Sequence, residues 1–230
     1  MLANIILDAV GVRRNGAELF QVPHLTIAGG RILAVLGENG CGKTTFLRLL
    51  AGLERDFSGV IRYDDKPHAT YFQGRNRPRD LLLLAQEPLL FDYSVERNLA
   101  YGLRLDGRSN REAHERVAYI LGRLNIHGLA KRRATRLSGG EKRRVALARV
   151  LVMAPRFLLL DEPFADVDPL NRELIETVLL EQARQRGAAV VFTTHQAEIA
   201  IRLTDEIAQI AGGRLGPHHP RNVLRGTAGQ

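Results

Sequence analysis

The sequence predicts an α/β fold in which a parallel-sheet core carries a small antiparallel β layer and an inserted helical lobe. Three observations carry that prediction. Short, wholly apolar runs alternate with segments of helical periodicity, the order that βαβ units require. The N-terminal stretch instead holds two turn-linked strand patterns. A middle section, residues 94–124, is helical throughout except at one polar break.

Taken in order, residues 5–10 and 19–27 read as strands of the antiparallel layer, joined by the turn-like Arg14-Asn15-Gly16. Residues 32–36 (ILAVL) read as a buried strand that runs into a glycine-rich stretch, then a helix over 45–50 with Gly52 just beyond it. Residues 59–63 return to the antiparallel layer, 64–80 are polar and irregular, and 81–85 form another buried strand. The helical section is interrupted at Asp106-Gly107-Arg108-Ser109-Asn110. Ser138-Gly139-Gly140-Glu141 has the spacing of a capping box ahead of a helix over 142–153. Residues 157–160 and 189–193 are short buried strands separated by a helix from Pro169 to about Arg186; Asp168 is its cap and Pro169 its first-turn proline. The expected organisation is a single domain over 1–215, with the lobe at about 88–150 inserted in the core, and a loose tail over 216–230.

Composition narrows the function classes. With 45% hydrophobic and 25% charged residues the chain has ordinary globular usage, and its single cysteine excludes an internal disulfide. No apolar run approaches the roughly 18 residues a membrane span needs. Asp8 interrupts the first apolar stretch and no basic prefix precedes it, so a secretory signal is not expected and the compartment reads as the cytosol. The formal charge of +8 fits nucleic acid, an anionic membrane surface or simple solubility. The basic residues are dispersed, with local groups at Arg75, Arg77 and Arg79, at Lys131, Arg132, Arg133 and Arg136, and at Lys142, Arg143 and Arg144. Aromatics make up only 6% and tryptophan is absent, so no interleaved stacking platform accompanies them and nucleic acid is not an expected partner.

The chemistry lies in a few segments. Gly37-Glu38-Asn39-Gly40-Cys41-Gly42-Lys43-Thr44-Thr45 fits the pattern G-x-x-x-x-G-K-[ST], in which backbone N–H groups wrap phosphates, the lysine reaches the outer ones and the hydroxyl holds magnesium. Its context is strand, glycine loop, helix, which gathers unpaired amides and the positive end of a helix dipole at one point. That predicts a bound nucleoside triphosphate. Ser138, Gly139 and Gly140 cap a helix, and the same helix start can present amides to an anion. The apolar strand at 157–160 ends in Asp161 and Glu162; beside a phosphate loop such an aspartate can hold magnesium through water, and Glu162 can orient or deprotonate an attacking water. Cys41 is either a small residue that fits the loop or a thiol whose modification would block ATP binding. His218 and His219, in a polar tail, need no role.

The Lys43 loop, the Leu137-to-Glu141 signature, the Asp161-Glu162 strand end, and Gln86 and His195 in this order resemble the ATP-binding cassette (ABC) ATPases, specifically a stand-alone transporter subunit, over residues 1 to about 215. The resemblance implies a head-to-tail homodimer with each ATP held between the phosphate loop of one copy and the signature of the other. It implies that residues 37–45 hold phosphates, that Thr44 and Gln86 are magnesium ligands together with Asp161, and that Ser138, Gly139 and Gly140 reach the γ-phosphate in trans. Glu162 would be the base, His195 a switch supporting it, and Asp168 a dimer contact. Where the family carries an aromatic that stacks on adenine, this sequence reads Val12-Arg13-Arg14-Asn15-Gly16, and an arginine plane can stack instead. Asp166 is an acid where the family has a small residue.

Residues 86–103 resemble import ATPases, especially those for oxyanions such as tungstate, molybdate or phosphate. Leu89, Leu90, Phe91 and Tyr93 either form a groove for the permease's cytoplasmic helix or pack the lobe's own core. The implied partners are a permease, a twin subunit and, in the complex, a solute-binding protein, at the cytoplasmic face of the membrane. The alternatives are an ATPase of the same fold acting on nucleic acid or ribosomes, and an exporter subunit.

Overall fold

The computed structural model describes residues 3–14, 16–73, 79–165, 167–204 and 206–217. Asn15, Arg75, Arg77, Asp166, His218, His219 and the rest of the tail lie outside the described residues.

The strands β1 (Asn4–Arg14), β2 (Ala17–Ala28), β3 (Ile32–Leu36), β4 (Phe57–Tyr63), β5 (Lys66–Pro67), β6 (Leu81–Leu84), β7 (Phe157–Leu160), β8 (Ala189–Thr194), β9 (Glu206–Ala211) and β10 (Arg214–Pro217) join in one sheet. Their order is β5-β4-β1-β2-β10-β9-β3-β8-β7-β6. β9, β3, β8, β7 and β6 are mutually parallel, and β1 pairs antiparallel with both β2 and β4. The antiparallel layer is therefore not free-standing. β10 stitches it to the core, running antiparallel to β9 and pairing parallel with β2 at Arg214 and Gln21. β10 also takes in Gly216 and Pro217, two residues of the stretch read as tail, because Leu215 is fully buried and anchors it.

The period-2 alternation of the parallel strands divides the interior into two cores. Ile32, Ala34 and Leu36 of β3, Leu158 and Leu160 of β7, and Val190 and Phe192 of β8 face one of them. Leu33, Val35, Phe157, Leu159, Ala189 and Val191 face the other. Both faces are covered, which is why these strands read as unbroken apolar runs. In the second core, helix α1 (Lys43–Leu50) is pressed against the sheet by the antiparallel strands: Phe46, Leu47, Leu49 and Leu50 share it with Ile5, Leu7, Phe20 and Val22.

Residues 64–73 hold more order than their polarity predicts. β5 leads into a one-turn helix α2 (His68–Tyr71), and the Tyr71 ring stacks on Tyr63 with centroids 4.2 Å apart while its hydroxyl donates to Asp80 at 2.7 Å. Burial pushes both phenols well above the usual tyrosine range, and at Tyr71 the Asp80 carboxylate adds to that. The segment is anchored by aromatic rings spaced too irregularly to leave a periodic signal.

The other core joins the sheet to α3 (Val95–Leu105), α4 (Asn110–Arg123), α5 (Gly139–Leu151), α6 (Pro169–Arg184) and α7 (Ala197–Leu203). Ser94, Ser109, Ser138 and Asp168 cap α3, α4, α5 and α6 through their side chains, the last two as their sequence positions predict. At the start of α3, fully buried Asn98 clamps the preceding loop: its side-chain oxygen accepts from the Phe91 N–H at 2.9 Å, and its amide donates to the carbonyls of Phe91 at 3.0 Å and Ser94 at 3.1 Å. Removing the amide takes the partner from the Phe91 N–H and releases the loop from the helix start. Asn98→Ala is expected to cost about 2 kcal/mol of stability, measured by urea unfolding, with cleavage in the loop 91–94 rising under limited proteolysis.

Candidate functional site

Four neighbouring parallel strands, in the order β3, β8, β7 and β6, end at one edge of the sheet. The crevice outside the carboxyl ends of such strands is where open α/β sheets bind ligands. Gly37 follows β3, His195 follows β8, Asp161 and Glu162 follow β7, and Gln86 lies two residues past β6. Strand order thus brings together groups that are far apart in sequence.

The glycine loop connects β3 to α1. Gly42, the residue before the helix, has φ 109°, and a Cβ there would come within 2.8 Å of the Phe20 ring, so no other residue fits without displacing the core. No side chain caps α1, which leaves the amides of its first turn facing the loop. Lys43 is buried at 7% exposure, and its ammonium donates to the carbonyls of Gly37 at 2.7 Å and Glu38 at 3.0 Å. It is a desolvated cation held by weak neutral acceptors of the loop itself. Asn39, Gly40, Gly42, Lys43, Thr44 and Thr45 line a cleft of about 340 Å³ together with Arg14, Gln86, Asp161 and Glu162. Cys41 sits half-buried in the loop against the second core and does not line the cleft.

Across the cleft runs a chain of short hydrogen bonds. The Thr44 hydroxyl donates to one oxygen of Asp161 at 2.7 Å, and the Thr193 hydroxyl donates to the other at 2.6 Å. Thr193 also accepts the Glu162 N–H at 3.0 Å. Glu162 is held at φ 49°, a left-handed conformation that costs a non-glycine residue about 1 kcal/mol or more. Its carboxylate, buried at the mouth of the cleft, meets the His195 Nδ1 at 3.2 Å. Thr193 was not singled out in the sequence, where it read only as a β-former inside a buried strand. Two polar residues closing an apolar strand, Thr193 and Thr194, were the available signal.

Other predicted residues stand apart from this cleft. Ser138, Gly139 and Gly140 begin α5 in a full capping box: Ser138 accepts from the Glu141 N–H at 3.3 Å, and the Glu141 carboxylate accepts from the Ser138 N–H at 2.7 Å. That backbone bond holds the Glu141 carboxyl below the usual carboxylate range. Gly139 and Gly140 line a separate cleft of about 490 Å³ with Gln86, Glu87, Pro88 and Leu89. Asp168 caps α6, accepting from the Asn171 side chain and N–H, which hold its carboxyl low as well. Beside these, Leu89 is 86% exposed, Phe91 and Tyr93 are partly exposed, and only Leu90 packs against the core. The arrangement offers a cation and free amides to an anion, a set of oxygen donors beside them, and a carboxylate oriented by an imidazole.

The ABC transporter family model matches residues 20–165, more than half of the chain. The tungstate uptake system ATP-binding protein TupC of Peptoclostridium acidaminophilum is 37% identical over 87% of this chain and 91% of that protein. The Fe(3+) ions import ATP-binding protein FbpC 2 of Haemophilus influenzae is 40% identical over 94% of this chain and 62% of its own length. The spermidine/putrescine import ATP-binding protein PotA of Methylococcus capsulatus is 41% identical over 89% of this chain and 53% of its own length. The chain thus spans roughly three fifths or less of the iron and polyamine relatives. Among solved structures, cbiO1 of Clostridium perfringens, part of the ABC transporter complex cbiONQ, superposes with a TM-score of 0.80 at 28% identity, covering 96% of this chain and 90% of that one. With the loop, the acidic strand end and the histidine assembled at one sheet edge, and with a relative matched along nearly the full length of both chains, this chain belongs to the ABC transporter family and is one of its ATPases.

Proposed function

We propose that the chain is the ATP-hydrolysing subunit of a membrane importer, that it closes head to tail on a second copy around ATP, and that the cargo is an oxyanion of the tungstate class. The observation that carries the reading is the hydrogen-bonded chain from Thr44 through Asp161 and Thr193 to Glu162 and His195 at the mouth of the glycine loop. The cargo class rests on the likeness to TupC over nine tenths of that protein. Residues 1–215 act as one ATPase domain, with the lobe at about 88–150 as its moving part.

In this mechanism Lys43 exchanges the Gly37 and Glu38 carbonyls for the outer phosphates of ATP, and the amides of residues 38–45 wrap the rest. Thr44, Gln86 and Asp161 would hold Mg²⁺; their oxygen-only donor set suits a hard divalent cation, which supplies charge neutralisation on the phosphates. Glu162 accepts the proton of the attacking water, its backbone fixed by Thr193 and its carboxylate by His195. Ser138, Gly139 and Gly140 of the second copy close over the γ-phosphate, with Asp168 at the contact. Hydrolysis releases that closure, and the lobe passes the motion to the permease. No helix among the described residues is long and apolar enough to cross a membrane. In this reading attachment at the cytoplasmic face runs through the permease, whose helix docks on Leu89, Phe91 and Tyr93; a solute-binding protein completes the complex.

Glu162→Gln is expected to lower steady-state ATP turnover by about 100-fold or more and to trap a dimer in saturating Mg-ATP, read by light scattering after gel filtration; an unchanged turnover or a strictly monomeric protein overturns the assignment. Arg14 lines the nucleotide cleft, and among the described residues that line it there is no aromatic. ATP and GTP are expected to bind within about tenfold of each other, and Arg14→Ala to weaken both, since a guanidinium plane stacks on any base; competition titrations with a fluorescent nucleotide decide it. Leu89→Glu places a charge on the apolar docking patch and is expected to abolish co-purification with the permease.

A further inference from the structure

Arg143 lies one turn into α5, and its guanidinium donates in two directions: to the Gln86 carbonyl at 2.8 Å and to the Ala165 carbonyl at 2.6 Å. Gln86 lies two residues past β6 and lines the nucleotide cleft. Ala165 closes the turn after β7, its N–H returning to the Glu162 carbonyl at 3.2 Å. One planar fork thus holds the loops that follow two adjacent strands, and both loops carry residues of the site. The next residue adds a second tie, Arg144 donating to Asn171 at 2.7 Å, beside the Asp168 cap. Successive arginines therefore clamp the first turns of α5 to both ends of the segment that begins at Glu162.

We infer that Arg143 is a positioning residue for the ATPase reaction: it sets the backbone of Gln86, and so the approach of the Gln86 side chain to the metal site, according to where α5 stands. The inference rests on the reading of Gln86 as a magnesium ligand. A carbonyl fixed by a guanidinium fixes the peptide plane, and the side chain leaves that backbone in a defined direction. When the lobe shifts, α5 carries Arg143 with it, so the Gln86 and Ala165 loops shift together. The geometry needs a fork. The lysine ammonium is a point charge that cannot hold two carbonyls on different loops in the same planar arrangement.

The test uses the full chain with Arg143→Ala, Arg143→Lys, Gln86→Ala and the double variant Gln86→Ala/Arg143→Ala. Binding of a fluorescent ATP analogue is titrated with Mg²⁺ and repeated in EDTA, and thermal unfolding is followed in parallel. Arg143→Ala is expected to raise the Mg²⁺ concentration for half-maximal enhancement of binding about fivefold or more, with binding in EDTA unchanged within twofold, and Arg143→Lys to fall between it and the parent. In the Gln86→Ala background the Arg143 change is expected to add less than twofold, because it acts through Gln86. A lowered melting temperature with no Mg²⁺ shift, or full additivity in the double variant, overturns the inference while leaving the Gln86 reading intact. If Gln86→Ala itself leaves the Mg²⁺ dependence unmoved, the Gln86 reading fails and the inference falls with it.

Discussion

The site depends on the carboxylate of Asp161. At 3% exposure it is a charge removed from water, which persists only if its lone pairs are taken up by donors. Both oxygens are satisfied, one by Thr44 at the first turn of α1 and the other by Thr193 near the end of β8. Those two bonds join the ends of α1, β7 and β8 into one rigid edge. The same Thr193 oxygen takes the N–H of Glu162, so the buried charge also fixes the backbone from which the neighbouring carboxylate projects. A left-handed glutamate is tolerable at that point because the groups around it determine its position.

The helix start at Ser138 shows how one sequence signal serves two ends. In the capping box the serine oxygen is an acceptor and the serine N–H is bound by Glu141. The helical ladder begins with the Lys142 N–H on the Ser138 carbonyl. The N–H groups of Gly139 and Gly140 precede that ladder, and the serine hydroxyl proton is not used by the cap. Capping therefore makes the helix end rigid and leaves donors on it. Within one chain these donors border the Gln86–Leu89 cleft and not the glycine loop. In the proposed mechanism it is a second copy that brings these donors to the phosphates.

Much of this was legible in the sequence because its causes are local. The phosphate loop, the buried strands and the Ser138 and Asp168 caps each rest on residues within a few positions of one another, and both caps stand where their spacing placed them. What escaped depends on distant partners. β10 forms because Leu215 is buried between strands from opposite ends of the chain, and its pairing of Arg214 with Gln21 joins the antiparallel layer to the parallel core in one sheet. Tyr71 becomes an anchor only by stacking on Tyr63. Thr193 gains its role from Asp161, 32 residues away. No window of local periodicity contains these pairs.

Net charge gave the least information, and the structure shows why. Three of the arginines in the two basic groups at 131–136 and 142–144 act as internal fasteners. Arg133 binds the Asp92 carboxylate, whose pKa it depresses, and so ties the loop before α3 to the approach to α5. Arg143 and Arg144 bind carbonyls and an asparagine around the Glu162 segment. Arg156 reaches both Asp64 and Asp80, and Arg123 pairs with Glu181 to join α4 to α6. Where the partner is a carboxylate, as for Arg133, Arg156 and Arg123, the pair offers little net charge to an outside polyanion. An excess of +8 is thus compatible with a protein whose anionic ligand is bound mainly by one buried lysine and a row of amides, and the count of cations alone could not separate that case from a nucleic-acid surface.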